Sequence, residues 1–425
     1  MSVLNRRSFL GTSLAGLSTA AYFGTEAWIR HAKSEGSQPP TGPREFSPST
    51  LFLTWQRDPT TTMTIQWVAA ETPTDKSIHY QTLGGSVLEV APTTTRPFQN
   101  TDLKVHRCEL TGLTPGTEYQ FQVAGLSTAY RFRTMPAKIT NTFQWVSGGD
   151  SGIDGHAIAT NMNAARQDPQ FVLIAGDLAY DNGKSPETFL KFLENYNRYM
   201  VDSQRRLIPM VATLGNHEVD GGYKKPRTAA PQFFSMFDGF YQDTTYGVLD
   251  FGDYLSLVLL DTDHISPIAG EQTSWLERTL AARQDRPHLI VAGHVPAYPS
   301  FRDPAGKDDN LGTGEENRKY WCPLFEKYQV DLVLEHHDHT FKRTHPLTNG
   351  LYDKHGVLYL GDGSWGKIRP PKTPEQRPYL AAVNECYHMT VHRFEGEQRF
   401  HTAIEESGKV ADVCMTVSKR PSRRG

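Results

Sequence analysis

Only four cysteines occur in 425 residues, Cys108, Cys322, Cys386 and Cys414, and no two of them have C-x-x-C spacing. That scarcity speaks against a zinc knuckle. Outside the cytoplasm a disulfide is available, and Cys386–Cys414 is the pairing expected, although spacing does not decide connectivity. Charge of one sign is also lacking: the formal net charge of −3 gives no electrostatic reason to expect a nucleic-acid or polyanion partner. The apolar stretch from Gly11 to Gly24 is short and rich in small residues, so no permanent membrane anchor is expected. A G-x-S-x-G elbow is absent as well, which removes one common hydrolase architecture.

What is present is a soluble chain, 38% hydrophobic and 21% charged, long enough for two domains. The N-terminus reads Asn5-Arg6-Arg7-Ser8-Phe9-Leu10 and continues into an acid-free apolar stretch, the pattern of a twin-arginine export signal. Residues 1–33 are assigned to signal and leader, and 34–45, with Pro39-Pro40, to a linker. Export by this route places the chain in the periplasm or outside a bacterial cell, already folded.

Residues 46–136 read as short strands with turns between them. Met63, Ile65 and Trp67 alternate with Thr64, Gln66 and Val68, which predicts a half-buried strand. Tyr119 opens a strand after Pro115-Gly116, with Phe121 and Val123 on its face, in the manner of a tyrosine corner. The segment resembles a fibronectin-III-type sandwich. His79 and His106 stand alone on strands and are read as packed or surface residues.

After Pro136 the pattern changes to strands alternating with helices over residues 137–417. Helices are expected at 156–167, 186–200, 271–283 and 315–328, with a hairpin at 246–261. Five aliphatic strands end in polar blocks: Gly149-Asp150-Ser151-Gly152, Gly176-Asp177-Leu178-Ala179-Tyr180, Gly215-Asn216-His217-Glu218, His294-Val295-Pro296-Ala297-Tyr298 and His337-Asp338-His339. Ligands of open α/β sheets bind beyond such strand ends. Asp150, Asp177, Tyr180, Asn216, His294, His337 and His339 form a mixed carboxylate, phenolate, amide and imidazole set that suits iron, zinc or manganese. In an extended segment His337 and His339 point the same way. Gly149-Asp150-Ser151-Gly152 also looks like a serine-protease nucleophile motif, but Ile153 follows it. The partner His and Asp would have to come from the preceding β-rich domain, so hydrolysis through Ser151 is set aside.

This order of blocks resembles the metallophosphoesterase superfamily and, through Tyr180, the purple acid phosphatases. The resemblance runs from about Phe46 to the end. It implies a catalytic domain of two stacked mixed β-sheets flanked by helices, behind an all-β fibronectin-III-like sandwich. It implies that Asp150, Asp177, Tyr180 and His339 bind Fe(3+). Asp177, Asn216, His294 and His337 would then bind a divalent ion (Fe, Zn or Mn), with Asp177 as the bridge. His217 and Asn216 would contact the phosphate. The activity implied is hydrolysis of small-molecule phosphate monoesters by attack of a metal-bound hydroxide, with in-line displacement at phosphorus. A phosphodiesterase or nucleotidase of the same superfamily is the nearest rival, and a non-catalytic phosphate-binding or adhesion protein is the rival of another class. The oligomeric state is left open.

Two departures from the family pattern bear on this. His336 stands where the family carries Gly before H-x-H, free to compete with His337 for metal. No further histidines follow the His294 block, so Arg302 or Lys307 is the candidate for substrate contact there. Gly361-Asp362-Gly363-Ser364 is read as a turn near the site. Residues 418–425 are read as a solvated basic tail.

Overall fold

Alternating apolar positions pair the first eight strands into a sandwich. The strands are β1 (Phe52–Thr54), β2 (Met63–Ala69), β3 (Ser77–Thr82), β4 (Glu89–Pro92), β5 (Thr94–Pro97), β6 (Lys104–Leu110), β7 (Glu118–Val123) and β8 (Ala129–Arg133). They form two four-stranded sheets, in the orders β1-β2-β6-β5 and β4-β3-β7-β8. The Tyr119 hydroxyl accepts the Thr114 N–H at 2.9 Å, closing the expected tyrosine corner. This computed structural model describes residues 50–420 except 71–76, 86–88, 125–127, 140–141 and 306–312. The export signal, the linker and Lys307 lie outside the described residues.

Strand β2 departs from the half-buried expectation, since every residue from Met63 to Val68 is buried. Its polar face does not meet water. The Gln66 side chain donates to the Met236 carbonyl at 2.8 Å, and Arg107 of neighbouring β6 donates to the same oxygen at 2.8 Å. Met236 lies on the helix Pro231–Phe237 of the following region. The sandwich thus shares a core with the rest of the chain: Phe52, Val68, Phe98 and Val105 belong to one apolar cluster with Val146, Phe233 and Phe237.

The second region supplies β9 (Phe143–Gly148), β10 (Val172–Ala175), β11 (Met210–Thr213), β12 (Gly247–Phe251), β13 (Leu255–Leu259), β14 (His288–Ala292) and β15 (Leu332–Glu335). It continues through β16 (Phe341–Thr344), the short hairpin β17 and β18 (Leu347–Thr348, Leu351–Tyr352), β19 (Leu358–Asp362) and β20 (Leu380–Asn384). It closes with β21 (His388–Glu395), β22 (Gln398–Glu405) and β23 (Val410–Val417). One mixed sheet has the order β11-β10-β9-β21-β22-β23 and the other β12-β13-β14-β15-β19-β16-β20. Strands β9, β10 and β11 are parallel, as are β13, β14, β15 and β19. Aromatic stacking joins the layers. Phe171 lies 5.1 Å from Trp145 and 4.8 Å from Phe251, and Trp55 packs edge-on against both Phe171 and Phe251.

The helices occur near the expected places, at Gly155–Ala165, Pro186–Tyr199 and Glu271–Ala281. The fourth is not continuous. Thr313–Tyr320 and Cys322–Lys327 are separate helices, because Pro323 has no N–H to continue the first and sits in the opening turn of the second. No described helix is long and apolar enough to cross a membrane.

All four cysteines are free, so the Cys386–Cys414 bridge does not form. Cys414 pairs with His401, and His401 with His392, which sets Cys414 two strands across from Cys386 and several residues along. At strand spacings of about 5 Å across and 3.3 Å along, that is far beyond the roughly 7 Å a disulfide spans.

The basic tail is not solvated where it begins. Lys419 donates to the Val330 and Gly356 carbonyls, and Arg420 binds Asp331 at 2.7 Å. Arg399 holds the other Asp331 oxygen at 3.1 Å. Burial pushes the Asp331 carboxyl up, but Arg399 and then Arg420 outweigh it and hold it below the ordinary range. Such a depressed carboxylate stabilises the fold above its unfolded pKa of about 4 and loses that contribution as pH falls through the folded value. Replacing Arg420 with Met is expected to lower stability by about 1–3 kcal/mol at neutral pH. Urea midpoints should show the gap shrinking below about pH 4. A variant as stable as the parent at pH 7 would mean that the pair contributes nothing.

Candidate metal centre

The C-terminal ends of the parallel strands of both sheets carry the polar blocks. Asp150 follows β9, Asp177 and Tyr180 follow β10, and Asn216 and His217 follow β11. His294 follows β14, and His337 and His339 follow β15. The turns are too tight for ordinary backbone. Asp150, Asp177, Tyr180, His337 and His339 have φ of 58°, 54°, 63°, 68° and 59°, a left-handed conformation costly for non-glycine residues. Gly176 (φ 90°) has no alternative, because a Cβ there would lie 2.4 Å from His294 Nδ1.

The two carboxylates divide their oxygens in the same way. Asp150 Oδ2 accepts the His337 backbone N–H at 2.8 Å, and its Oδ1 lies 3.0 Å from His339 Nε2 and 3.3 Å from the Tyr180 hydroxyl. Asp177 Oδ1 accepts the His217 N–H at 2.8 Å, while its Oδ2 makes no hydrogen bond and lies 3.3 Å from His294 Nε2. The His294 Nδ1–H donates to the Ala175 carbonyl at 3.0 Å, which leaves Nε2 facing inward. There it meets Asn216 Oδ1 at 3.3 Å and His337 Nδ1 at 3.2 Å.

The donor atoms of Asp150, Asp177, His294 and His337, all buried, lie within 4.8 Å of one another. Tyr180, His339 and Asn216 join the same cluster through the contacts above. All seven sequence-derived candidates are therefore brought together, and His217 flanks them with Nε2 3.9 Å from Asp177 Oδ2. The H-x-H segment differs from its expectation. It is a turn rather than a strand, so the two rings face opposite halves of the cluster, His337 toward His294 and His339 toward Asp150.

Electrostatics favour a cation at this place. Burial raises the Asp177 carboxyl, but charge on His294, and then on His217 and His337, holds it well below the usual range. Burial disfavours a charged His294, yet Asp177 and Asp150 push that imidazole up to about 9. A proton on His294 thus does the work that a metal ion would do. Burial and then Asp150 push the Tyr180 phenol well up, so a phenolate at neutral pH requires a multivalent cation beside it. The Asp177 Oδ2 without a hydrogen bond and the inward-facing ring nitrogens of His294 and His337 fit a metal-binding role.

His336 does not enter the cluster. Its Nδ1 lies 3.0 Å from the Gly293 carbonyl, and the ring occupies the space beside Gly149, where a Cβ would come within 2.7 Å of it. Arg302 reaches the His337 carbonyl at 3.3 Å, at the edge of the cluster.

Several supporting residues escaped the sequence reading. Glu218 accepts the N–H groups of Asp177, Leu178 and Gly215, stapling two ligand loops together. Its place in Gly215-Asn216-His217-Glu218 was visible, but its direction was not. Asn182 Oδ1 accepts from His217 Nδ1, and the Asn182 N–H binds the His217 carbonyl at 2.8 Å. The Tyr223 hydroxyl lies 3.3 Å from His337 Nε2, on the side of the ring away from His294. Only polarity marked Asn182 and Tyr223 in the sequence.

Comparison with known proteins agrees with this geometry. Residues 149–341 match the family model described as calcineurin-like phosphoesterase, and residues 48–134 match the purple acid phosphatase N-terminal domain. The chain belongs to the purple acid phosphatase group of this family. An uncharacterized protein of Mycobacterium tuberculosis is 26% identical over 371 residues, 77% of this chain and 66% of that protein. Purple acid phosphatase 21 of Arabidopsis thaliana is 24% identical over 335 residues, 75% of this chain and 73% of that protein. The structure of a purple acid phosphatase from yellow lupin (Lupinus luteus) seeds shares the fold, with a TM-score of 0.70 at 17% identity, covering 88% of this chain and 74% of that one. The family implies a dinuclear metal centre, and the Asp/His cluster is the candidate for it.

The packing of His336 against Gly149 yields a test. Gly149→Ala is expected to cost about 1–3 kcal/mol and to weaken metal uptake, because the methyl must displace the ring. Adding His336→Ala should recover most of that loss, as read from urea midpoints and metal titration. An equal loss with and without the His336 ring would discard this packing account.

Proposed function

We propose that the chain is an exported dinuclear metallophosphatase that hydrolyses small phosphate monoesters. The observation that carries this reading is the convergence of two donor sets on the facing edges of two sheets, with Asp177 between them. Asp150, Asp177, Tyr180 and His339 are the ligands assigned to Fe(3+). Asp177, Asn216, His294 and His337 are assigned to a divalent Fe, Zn or Mn ion. When bound, such a pair polarises a phosphate ester and lowers the pKa of water toward neutrality. Export rests on Arg6-Arg7 and the segment after it, and places the activity in the periplasm or beyond.

The side chains divide the remaining work. Asn182 accepts from His217 Nδ1, which fixes the ring and turns Nε2 toward Asp177 Oδ2. There Nε2 meets a phosphate oxygen and, when protonated, stabilises the negative charge that grows in the transition state. The Tyr180 ring lies 4.3 Å from the His217 ring and restricts its tilt. Asn216 contributes an amide that binds without adding charge. Glu218, through its three N–H contacts, keeps the Asp177 and Asn216 loops at fixed separation.

The test combines metal analysis with a panel of phosphate mono- and diesters across pH. Iron together with a second metal, and turnover of monoesters, is the expected result. Tyr180→Phe should abolish any visible charge-transfer colour while iron stays bound. His217→Ala should lower kcat by about 10²–10³. Full metal occupancy with no turnover of any ester would favour a phosphate-binding protein, and zinc alone with diesterase activity would overturn the iron assignment.

A further inference from the structure

The H-x-H turn is gripped by arginines. Arg302 donates from Nη2 to the His337 carbonyl at 3.3 Å, and the Arg369 backbone N–H donates to the His339 carbonyl at 2.7 Å. The Arg369 guanidinium lies over the Phe301 ring, 5.1 Å from its centroid. Phe301 is the residue before Arg302, and the charges of Arg302, Tyr180 and Asp150 all act on the Arg369 guanidinium, which places both arginines at the same rim of the centre. Arg377 closes the group by donating to the Arg302 carbonyl at 3.1 Å.

The negative charge available there is committed elsewhere. Asp338 accepts the N–H groups of Ser300, Phe301 and Arg302, and its Oδ1 pairs with Arg302 Nε at 3.7 Å, so it offsets part of the Arg302 charge and leaves that of Arg369 unmatched. Lys367, on the Tyr180 side, is paired with Asp154 at 2.9 Å. Among the described residues Arg369 has no carboxylate partner. Burial, and then the field of Arg302, push its guanidinium down from the ordinary value. Nor does the arginine pair serve to balance the metal site. Under the Fe(3+) and divalent assignment proposed above, the cations would outweigh Asp150, Asp177 and a Tyr180 phenolate, leaving no negative centre for the arginines to balance. Two guanidiniums beside a positive centre are complementary to an oxyanion, which they bind in a planar, two-pronged way.

We propose that Arg369 and Arg302 form a subsite for a second oxyanion on the substrate, a further phosphate or carboxylate carried by the leaving group. The preferred esters are then those with two anionic groups, one at the metal centre and one on the arginines. This rests on the phosphatase reading and narrows it.

The test uses the metal-loaded full chain. Calorimetry compares methylphosphonate with methylenebisphosphonate, and kinetics compare ethyl phosphate with phosphoglycolate and ethylene glycol bisphosphate. One charge-assisted paired contact corresponds to an advantage of about tenfold or more for the doubly anionic member. The two kinetic arms tell a carboxylate from a phosphate. Arg369→Gln is expected to collapse the binding ratio and the kcat/KM ratio to below about threefold, and Arg369→Lys to retain part of both. Ratios near one in the parent, or ratios unchanged by Arg369→Gln, would overturn the subsite. A binding advantage lost in Arg369→Gln without turnover of any ester would uphold the subsite and overturn the phosphatase reading.

Discussion

Two buried carboxylates set the terms for the rest of this molecule. Asp150 and Asp177 are fully inaccessible, and a buried charge without partners is among the most expensive things a fold can contain. Each is stabilised by a backbone N–H from another ligand loop, given by His337 to Asp150 and by His217 to Asp177. Main-chain path and donor geometry are therefore fixed by the same bonds. The left-handed residues, the glycine beside His294 and the Glu218 staple all follow from bringing those loops close enough to share the charges.

The β-sandwich takes part in this rather than hanging from it. Sheet β1-β2-β6-β5 is buried on both faces at β2, and Trp55 packs into the aromatic group of Phe171 and Phe251. Phe171 immediately precedes β10, the strand that delivers Asp177. Packing of the first domain thus bears on the strand that carries the central carboxylate.

Much of the candidate site could be read from the chain because each candidate ligand follows a short aliphatic strand, and strand ends are visible locally. Their convergence needed only the rule that ligands gather beyond parallel strand ends. What stayed hidden depended on distant partners. Thr64 and Gln66 looked solvent-facing because nothing local reveals that Met236 accepts a hydrogen bond from Gln66. His337 and His339 looked extended because a left-handed turn at non-glycine residues has no composition signal. The tail looked solvated because its anion, Asp331, lies 89 residues earlier. The meander β21-β22-β23 was unread for the same reason, since β21 completes a sheet begun by β9.

His337 donates its N–H to a carboxylate 187 residues away, and the two come from different sheets. Such a centre has very high contact order: no single segment contains it, and it comes into being only when both sheets have docked. Capture of an ion would then come late in assembly. An ion that binds only the finished arrangement would draw the equilibrium toward it and tie the two halves together. An ion held there would act as a lock turned after the door has closed, raising resistance to unfolding by joining the two sheets.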